Sequence, residues 1–182
     1  MKTIIIFKSK TGFTEKYAEY LGQKLSCEVI ENKSLKLADI SDYDTIIYGG
    51  SLYASGILGL KKLIIRNFDS LENKKIIIFA VGATPGRKDE LIEITSSNFT
   101  DEQMKKVNFL YTRGGFNYNK LNIFDKVLML LLKLKIKLKR DKSNDEKGML
   151  NAYNQSLDFV TINNKEKLYN NIIKIIKDDT SK

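Results

Sequence analysis

The 182-residue chain contains no histidine and no tryptophan, and only one cysteine and one proline. Without histidine there is no Ser-His-Asp or Cys-His catalytic arrangement and no imidazole ligand for a metal. A lone Cys27 forms neither an internal disulfide nor a cysteine-rich zinc site, so no metal site and no side-chain catalytic group is expected. The longest apolar run, Val127 to Leu132, is six residues, whereas a membrane-spanning helix needs about 20. At the amino terminus only Ile4 to Phe7 are apolar before Lys8, too short a stretch for a secretory signal. A mature start and, with one unpaired thiol, a reducing cytoplasmic location are the expectation. Redox or group-transfer activity then has to come from a bound cofactor, to which the protein supplies position and electrostatics.

What is present suits one globular domain over residues 1–182, with 42% hydrophobic residues available for a core. Thr3 to Phe7, Thr45 to Tyr48, Lys75 to Val81 and Val107 to Thr112 have strand length and are rich in Ile, Val, Phe and Tyr. Their near-continuous hydrophobicity predicts parallel strands buried on both faces. Cys27 to Glu31 is a weaker candidate for an edge strand. Between the runs lie helical spacings: Tyr17, Tyr20/Leu21 and Leu25, then Leu60, Leu63/Ile64 and Phe68. Thr100 and Gln103 have capping-box spacing ahead of a short helix to Lys106, and Lys165 to Lys177 sets Leu168, Ile172 and Ile175/Ile176 on one face. The polar stretch Asp141 to Gly148 reads as a loop. This alternation predicts a doubly wound α/β sheet.

In such a sheet ligands bind beyond the carboxyl ends of the strands. After the first strand comes Ser9-Lys10-Thr11-Gly12-Phe13-Thr14, running straight into a helix. Three hydroxyls, a glycine for the tight turn and the N–H groups of a helix start form a cradle for a terminal phosphate without a cationic clamp, Lys10 pointing to solvent. A capped strand-to-helix turn is the plainer alternative. The run is neither a Walker loop nor GxGxxG.

Ser-x-Thr-Gly-x-Thr directly after an N-terminal strand resembles the phosphate loop of the flavodoxin family, which binds flavin mononucleotide (FMN). The resemblance implies a three-layer α/β/α fold with a five-stranded parallel sheet in the order 2-1-3-4-5. It implies two further loops around the flavin ring. Candidates are Gly49 to Gly56, with Gly50, Ser51, Leu52 and Tyr53, and Gly82 to Arg87, with Ala83, Thr84, Pro85 and Gly86. Tyr53 is the candidate for stacking on the ring, in place of the tryptophan many relatives use. The next region, Arg113, Gly114, Gly115, Phe116 and Tyr118, is expected to border the outer edge of the ring, where a substrate or quinone approaches.

From Tyr118 to Arg140 the chain resembles the insertion of the flavodoxin-like protoporphyrinogen dehydrogenases, which pass electrons to menaquinone. Asp125-Lys126 matches the acidic-basic pair of that subfamily, and Asp158-Phe159 stands where it tends to carry Asp-Trp. The implied feature is a basic helical insertion over residues 119–148 after the last strand. Asn119 to Lys142 carries eight basic residues against two acidic ones, a surplus of six out of the chain's net +9. As a helix this stretch sets Ile123, Val127, Leu130, Leu134 and Leu138 on one face, with Lys126, Lys133, Lys137 and Arg140 opposite. That suits peripheral contact of residues 120–142 with the inner face of a membrane, or a partner. Lys133 to Lys139 alternates with period two and fits an amphipathic strand equally well, and a plain surface helix fits the same charges.

No nucleic-acid motif accompanies the basic stretch. Two functions remain open at this point. One is an FMN oxidoreductase acting on a porphyrinogen-like substrate with a quinone acceptor. The other is an electron carrier that docks on redox partner proteins. Electron-shuttle flavodoxins are acidic, which keeps their potential low; the basic charge here predicts easier reduction.

Overall fold

The computed structural model describes residues 2–121, 123–142, 147, 148, 150 and 156–178. Its centre is a parallel sheet of β1 (Thr3–Lys8), β2 (Glu28–Glu31), β3 (Thr45–Tyr53), β5 (Lys75–Gly82) and β6 (Val107–Arg113), hydrogen-bonded in the order β2-β1-β3-β5-β6. Along the five parallel strands this is the predicted order 2-1-3-4-5. A sixth strand, β4 (Gly56–Ile57), folds back antiparallel on the end of β3, pairing Leu52 with Ile57.

The continuous hydrophobicity of the strands has a direct structural cause. Successive strand residues point to opposite faces, and both faces are covered. Ile4, Ile6, Ile46, Tyr48, Ile76 and Ile78 enter one core, and Ile5, Phe7, Ile47, Ile77 and Phe79 the other. The second core is closed by α1 (Phe13–Leu25), through Phe13, Tyr17, Ala18 and Leu21, and by α6 (Ile162–Asp178), through Leu168 and Ile172. Gly22 lets α1 pack closely on the edge of the sheet, because a Cβ there would lie 2.2 Å from a Val29 methyl.

The first core is covered by α2 (Leu60–Leu63), two 3-10 turns at Ile65–Asn67 and Asp69–Leu71, and α3 (Lys88–Asn98). The spacing Leu60, Leu63/Ile64, Phe68 predicts one helix, and these residues are indeed buried, but the helix is broken. Asn67 Nδ2 donates to the Leu63 carbonyl (2.8 Å), the acceptor the Asn67 backbone N–H would take in an α-helix, while that N–H turns to Ile64 (3.1 Å). The short helix α4 (Asp101–Lys106) starts at the expected capping box, Thr100 Oγ1 accepting from the Gln103 N–H at 3.2 Å.

After β6 the chain forms β7 (Gly115–Phe116), which pairs antiparallel with β8 (Leu157–Asp158). The basic insertion therefore lies between two paired strands rather than after the last one. Within it α5 (Ile123–Leu138) is a helix, so the period-two lysine pattern does not form a strand. Half of the expected loop at Asp141 to Gly148, residues 143–146, lies outside the described residues; of the other half, Asp141 and Lys142 are irregular as expected, whereas Lys147 and Gly148 are helical.

Candidate functional site

The carboxyl ends of β1, β3 and β5 bring the three sequence-predicted loops together. In the first, Gly12 adopts φ +90°, the left-handed conformation that glycine takes without strain, and caps α1. Its N–H donates to Ser9 Oγ at 3.0 Å. The loop is fastened to the second one beneath it: the Lys10 N–H donates to Ser51 Oγ (3.2 Å), and Ser51 Oγ meets Thr14 Oγ1 at 2.8 Å. Thr14 is fully buried and Ser51 nearly so, so Ser51 supports the first loop from below. A cleft of about 380 Å³ opens above it, lined by Ser9, Lys10, Thr11, Gly12, Glu15 and Lys120 among others.

The second loop runs from Gly50 through Ser51, Leu52 and Tyr53 into a turn at Ala54 and Ser55, both at positive φ (46° and 64°). Tyr53 is partly exposed, at 38%. Tyr48 anchors the base of the loop. Its hydroxyl donates to the Leu58 carbonyl (2.8 Å) and accepts from Asn32 Nδ2 (3.1 Å), and burial pushes the phenol up to about 12. The third loop, Ala83 to Gly86, is held by Tyr111, whose hydroxyl donates to the Thr84 carbonyl (2.7 Å). Gly86, at φ +75°, lies against the Tyr111 ring, which a Cβ would approach to 2.4 Å. The N–H groups of Gly86 and Arg87 both donate to Glu90 Oε2 (2.9 Å).

The insertion enters this site directly. Asp125, in the first turn of α5, is 3% exposed. Its carboxylate pairs with Lys10 Nζ at 2.6 Å and accepts from the Tyr53 hydroxyl at 3.0 Å. The Lys10 ammonium sits 3.6 Å from the centroid of the Tyr53 ring. Three distant segments thus meet in one cluster. The hydrogen bond from Lys10 holds the Asp125 carboxyl below its ordinary value, and the hydrogen bond to Asp125 pushes the Tyr53 phenol up. Lys10 therefore points inward rather than to solvent. It covers one face of Tyr53, and a flavin stacking on that face requires Lys10 to withdraw.

Arg113 lies away from this cluster. Its Nε donates to the Ala83 carbonyl (3.0 Å), its guanidinium stacks on Phe159 at 3.5 Å, and its carbonyl accepts from the Tyr17 hydroxyl (2.8 Å). With Lys167, Asn164 and Asn171 it lines a separate cleft of about 350 Å³ beside α6. Gly114 and Gly115 pack against the Phe13 ring, Phe116 forms β7, and Tyr118 donates to the Lys126 carbonyl at 3.4 Å. These residues support the loops and the insertion.

The flavodoxin domain family matches this sequence over residues 4–144. The chain belongs to that family. Over 92 residues this flavodoxin domain is 30% identical to a flavodoxin of Maridesulfovibrio salexigens, a match that covers 44% of the chain and 63% of the relative. The chain thus spans less than two thirds of that relative's length. Among solved structures it is similar to the Trp repressor binding protein of Bacillus subtilis, with 20% identity, 62% of this chain and 85% of that one covered, and a TM-score of 0.49. A flavoprotein of Lactobacillus acidophilus in complex with FMN is 16% identical, with 62% of this chain and 91% of that one covered and a TM-score of 0.37.

FMN is the cofactor of this family, and the donor set of the first loop fits its phosphate. The first-turn N–H groups of α1 have no intrahelical acceptor, Ser9 and Thr11 bring hydroxyls, and Lys120 brings an ammonium to the same cleft. The expected cradle contains no cationic clamp, yet the Lys120 side chain reaches this cleft. Its Nζ would lie 3.6 Å from a Cβ at Gly12, although 108 positions of sequence separate the two residues. Asp125, Lys120, Tyr111 and Asn32 were absent from the sequence-derived site. Only the Asp125-Lys126 pair carried a local signal for any of them.

Proposed function

We propose that this flavodoxin domain binds FMN and uses it to oxidise a reduced, porphyrinogen-type substrate with a quinone as acceptor. The observation that carries the reading is the Lys10–Asp125–Tyr53 cluster, which ties the insertion to two loops of the site. A carrier that only docks on other proteins does not need an insertion reaching into its cofactor site. Bound flavin supplies the redox chemistry, accepting a hydride or single electrons and passing them on. The chain does the holding. Ser9, Thr11, Gly12 and the first turn of α1 cradle the phosphate, with Lys120 balancing its charge. Ser51 and Thr14 fix the loop from below. Gly50 to Tyr53 and Ala83 to Gly86 border the ring, and the Asp125 cluster excludes water from one side of it. No side chain is assigned as acid or base.

A second reading, electron transfer to partner proteins, is favoured by the likeness to a named flavodoxin. Anaerobic addition of protoporphyrinogen to the FMN-loaded protein, followed by a menaquinone analogue, separates the two readings. Bleaching of the flavin band by the first and its recovery with the second is the expected result. A flavin that neither compound changes refutes the oxidase reading and leaves the carrier.

A further inference from the structure

Helix α5 touches the rest of the protein along a narrow stripe. Asp125 and Ile136 are buried, with Met129 and Leu132 half-buried between them at helical intervals. The remaining apolar surface faces outward. Of the eleven large hydrophobic side chains exposed among the described residues, eight belong to α5. Ile123 and Leu138, at its two ends, are 83% and 84% exposed, and Phe124, Val127, Leu130 and Leu134 between them are 48 to 74% exposed. At about 100° per residue these side chains form one continuous face. Lys126, Lys133 and Lys137 follow one margin of it, and Lys135 and Lys139 the other. The sequence expectation set the lysines opposite the apolar face; the structure gives the opposite side to the Asp125–Ile136 stripe.

We infer that α5 docks on an anionic lipid bilayer, its apolar face in the interface and its marginal lysines on the headgroup phosphates. A patch this size is uncommon on a monomeric surface, and its form selects the occupant. The face is a ridge about 24 Å long (16 residues at 1.5 Å each), with cationic margins on both sides. Its single acid, Asp125, is turned inward to Lys10. A second copy laid on this face would bring lysine rows together with no carboxylate between them, whereas anionic headgroups complement both rows and lysine stems snorkel along the apolar surface. Among the described residues no helix is long and apolar enough to cross a membrane, and the docking inferred for α5 is peripheral. Because Asp125 ties the opposite side of the helix to Lys10 and Tyr53, docking holds the cofactor site a helix diameter, roughly 10 Å, from the bilayer.

This inference does not depend on the porphyrinogen reading, and its test requires no turnover. The full-length protein is floated with vesicles of phosphatidylcholine alone or with about one third phosphatidylglycerol. Two variants accompany it, V127S/L130S/L134S and K133Q/K135Q/K137Q/K139Q. All seven positions are exposed or half-buried, and circular dichroism verifies the fold. The wild type is expected to float with anionic vesicles at least tenfold better than with neutral ones. Binding should fall in both variants, by about fivefold per lysine removed, since each contributes about 1 kcal/mol near such a surface. Several results would overturn the inference: no vesicle binding by the wild type, equal binding to both vesicle types, or variants that bind as the wild type does. A concentration-dependent dimer that V127S/L130S/L134S abolishes would also overturn it, assigning the face to a second copy.

Discussion

Asp125 is the residue on which the site turns, because its carboxylate answers both the Lys10 ammonium and the Tyr53 hydroxyl. Its depressed pKa has a definite consequence for pH. The contribution of this ion pair is fully present above the ordinary carboxyl value of 3.8 and is lost as pH falls through the lower folded value. Asp125→Asn is expected to abolish this step and to let Tyr53 ionise at lower pH. A spectroscopic tyrosinate titration, differenced against Tyr53→Phe, reads the change; an unmoved Tyr53 would show that the carboxylate does not govern it. Lys120→Gln should weaken FMN about fivefold, the worth of about 1 kcal/mol for an exposed charge pair, and unchanged affinity would place the phosphate out of its reach. Neither residue was legible as part of the site, because both contacts join positions far apart in sequence, and a lone Lys in a lysine-rich stretch carries no pattern. The phosphate loop was legible, since its hydroxyls, glycine and helix start are contiguous.

Among the elements, the parallel strands were readable because two-sided burial leaves an unbroken apolar run, and α6 because one buried stripe leaves a helical period. The two-residue strands β4, β7 and β8 are too short to carry a period. The break after α2 depends on a side-chain bond from Asn67 that periodicity does not register. The third loop depends on a close approach between two elements, Gly86 against the Tyr111 ring. Gly86→Ala both strains a positive φ and drives a Cβ into that ring, so a loss of about 1–3 kcal/mol is expected in urea unfolding. A variant as stable as the wild type would mean that the loop shifts freely and is not held by Tyr111.

Over the whole molecule the net charge of +9 biases any negative charge gained by a bound cofactor. A positive field stabilises a reduced, anionic flavin and raises its potential, and salt screens that field over about 10 Å at 0.1 M. The two-electron potential of the loaded protein should therefore fall as ionic strength rises. A potential that is independent of salt would show that local hydrogen bonds, not the overall charge, set it. The Lys120 affinity and the salt-dependent potential both require a phosphate-bearing flavin on the three loops. The direct test is a fluorescence titration of the protein with FMN and, separately, with riboflavin, which lacks the phosphate. Binding of one FMN with quenched emission, at least tenfold tighter than riboflavin, is predicted from charge-assisted bonds of about 1.5–3 kcal/mol each. No FMN binding, or equal affinity for the two, would contradict the account.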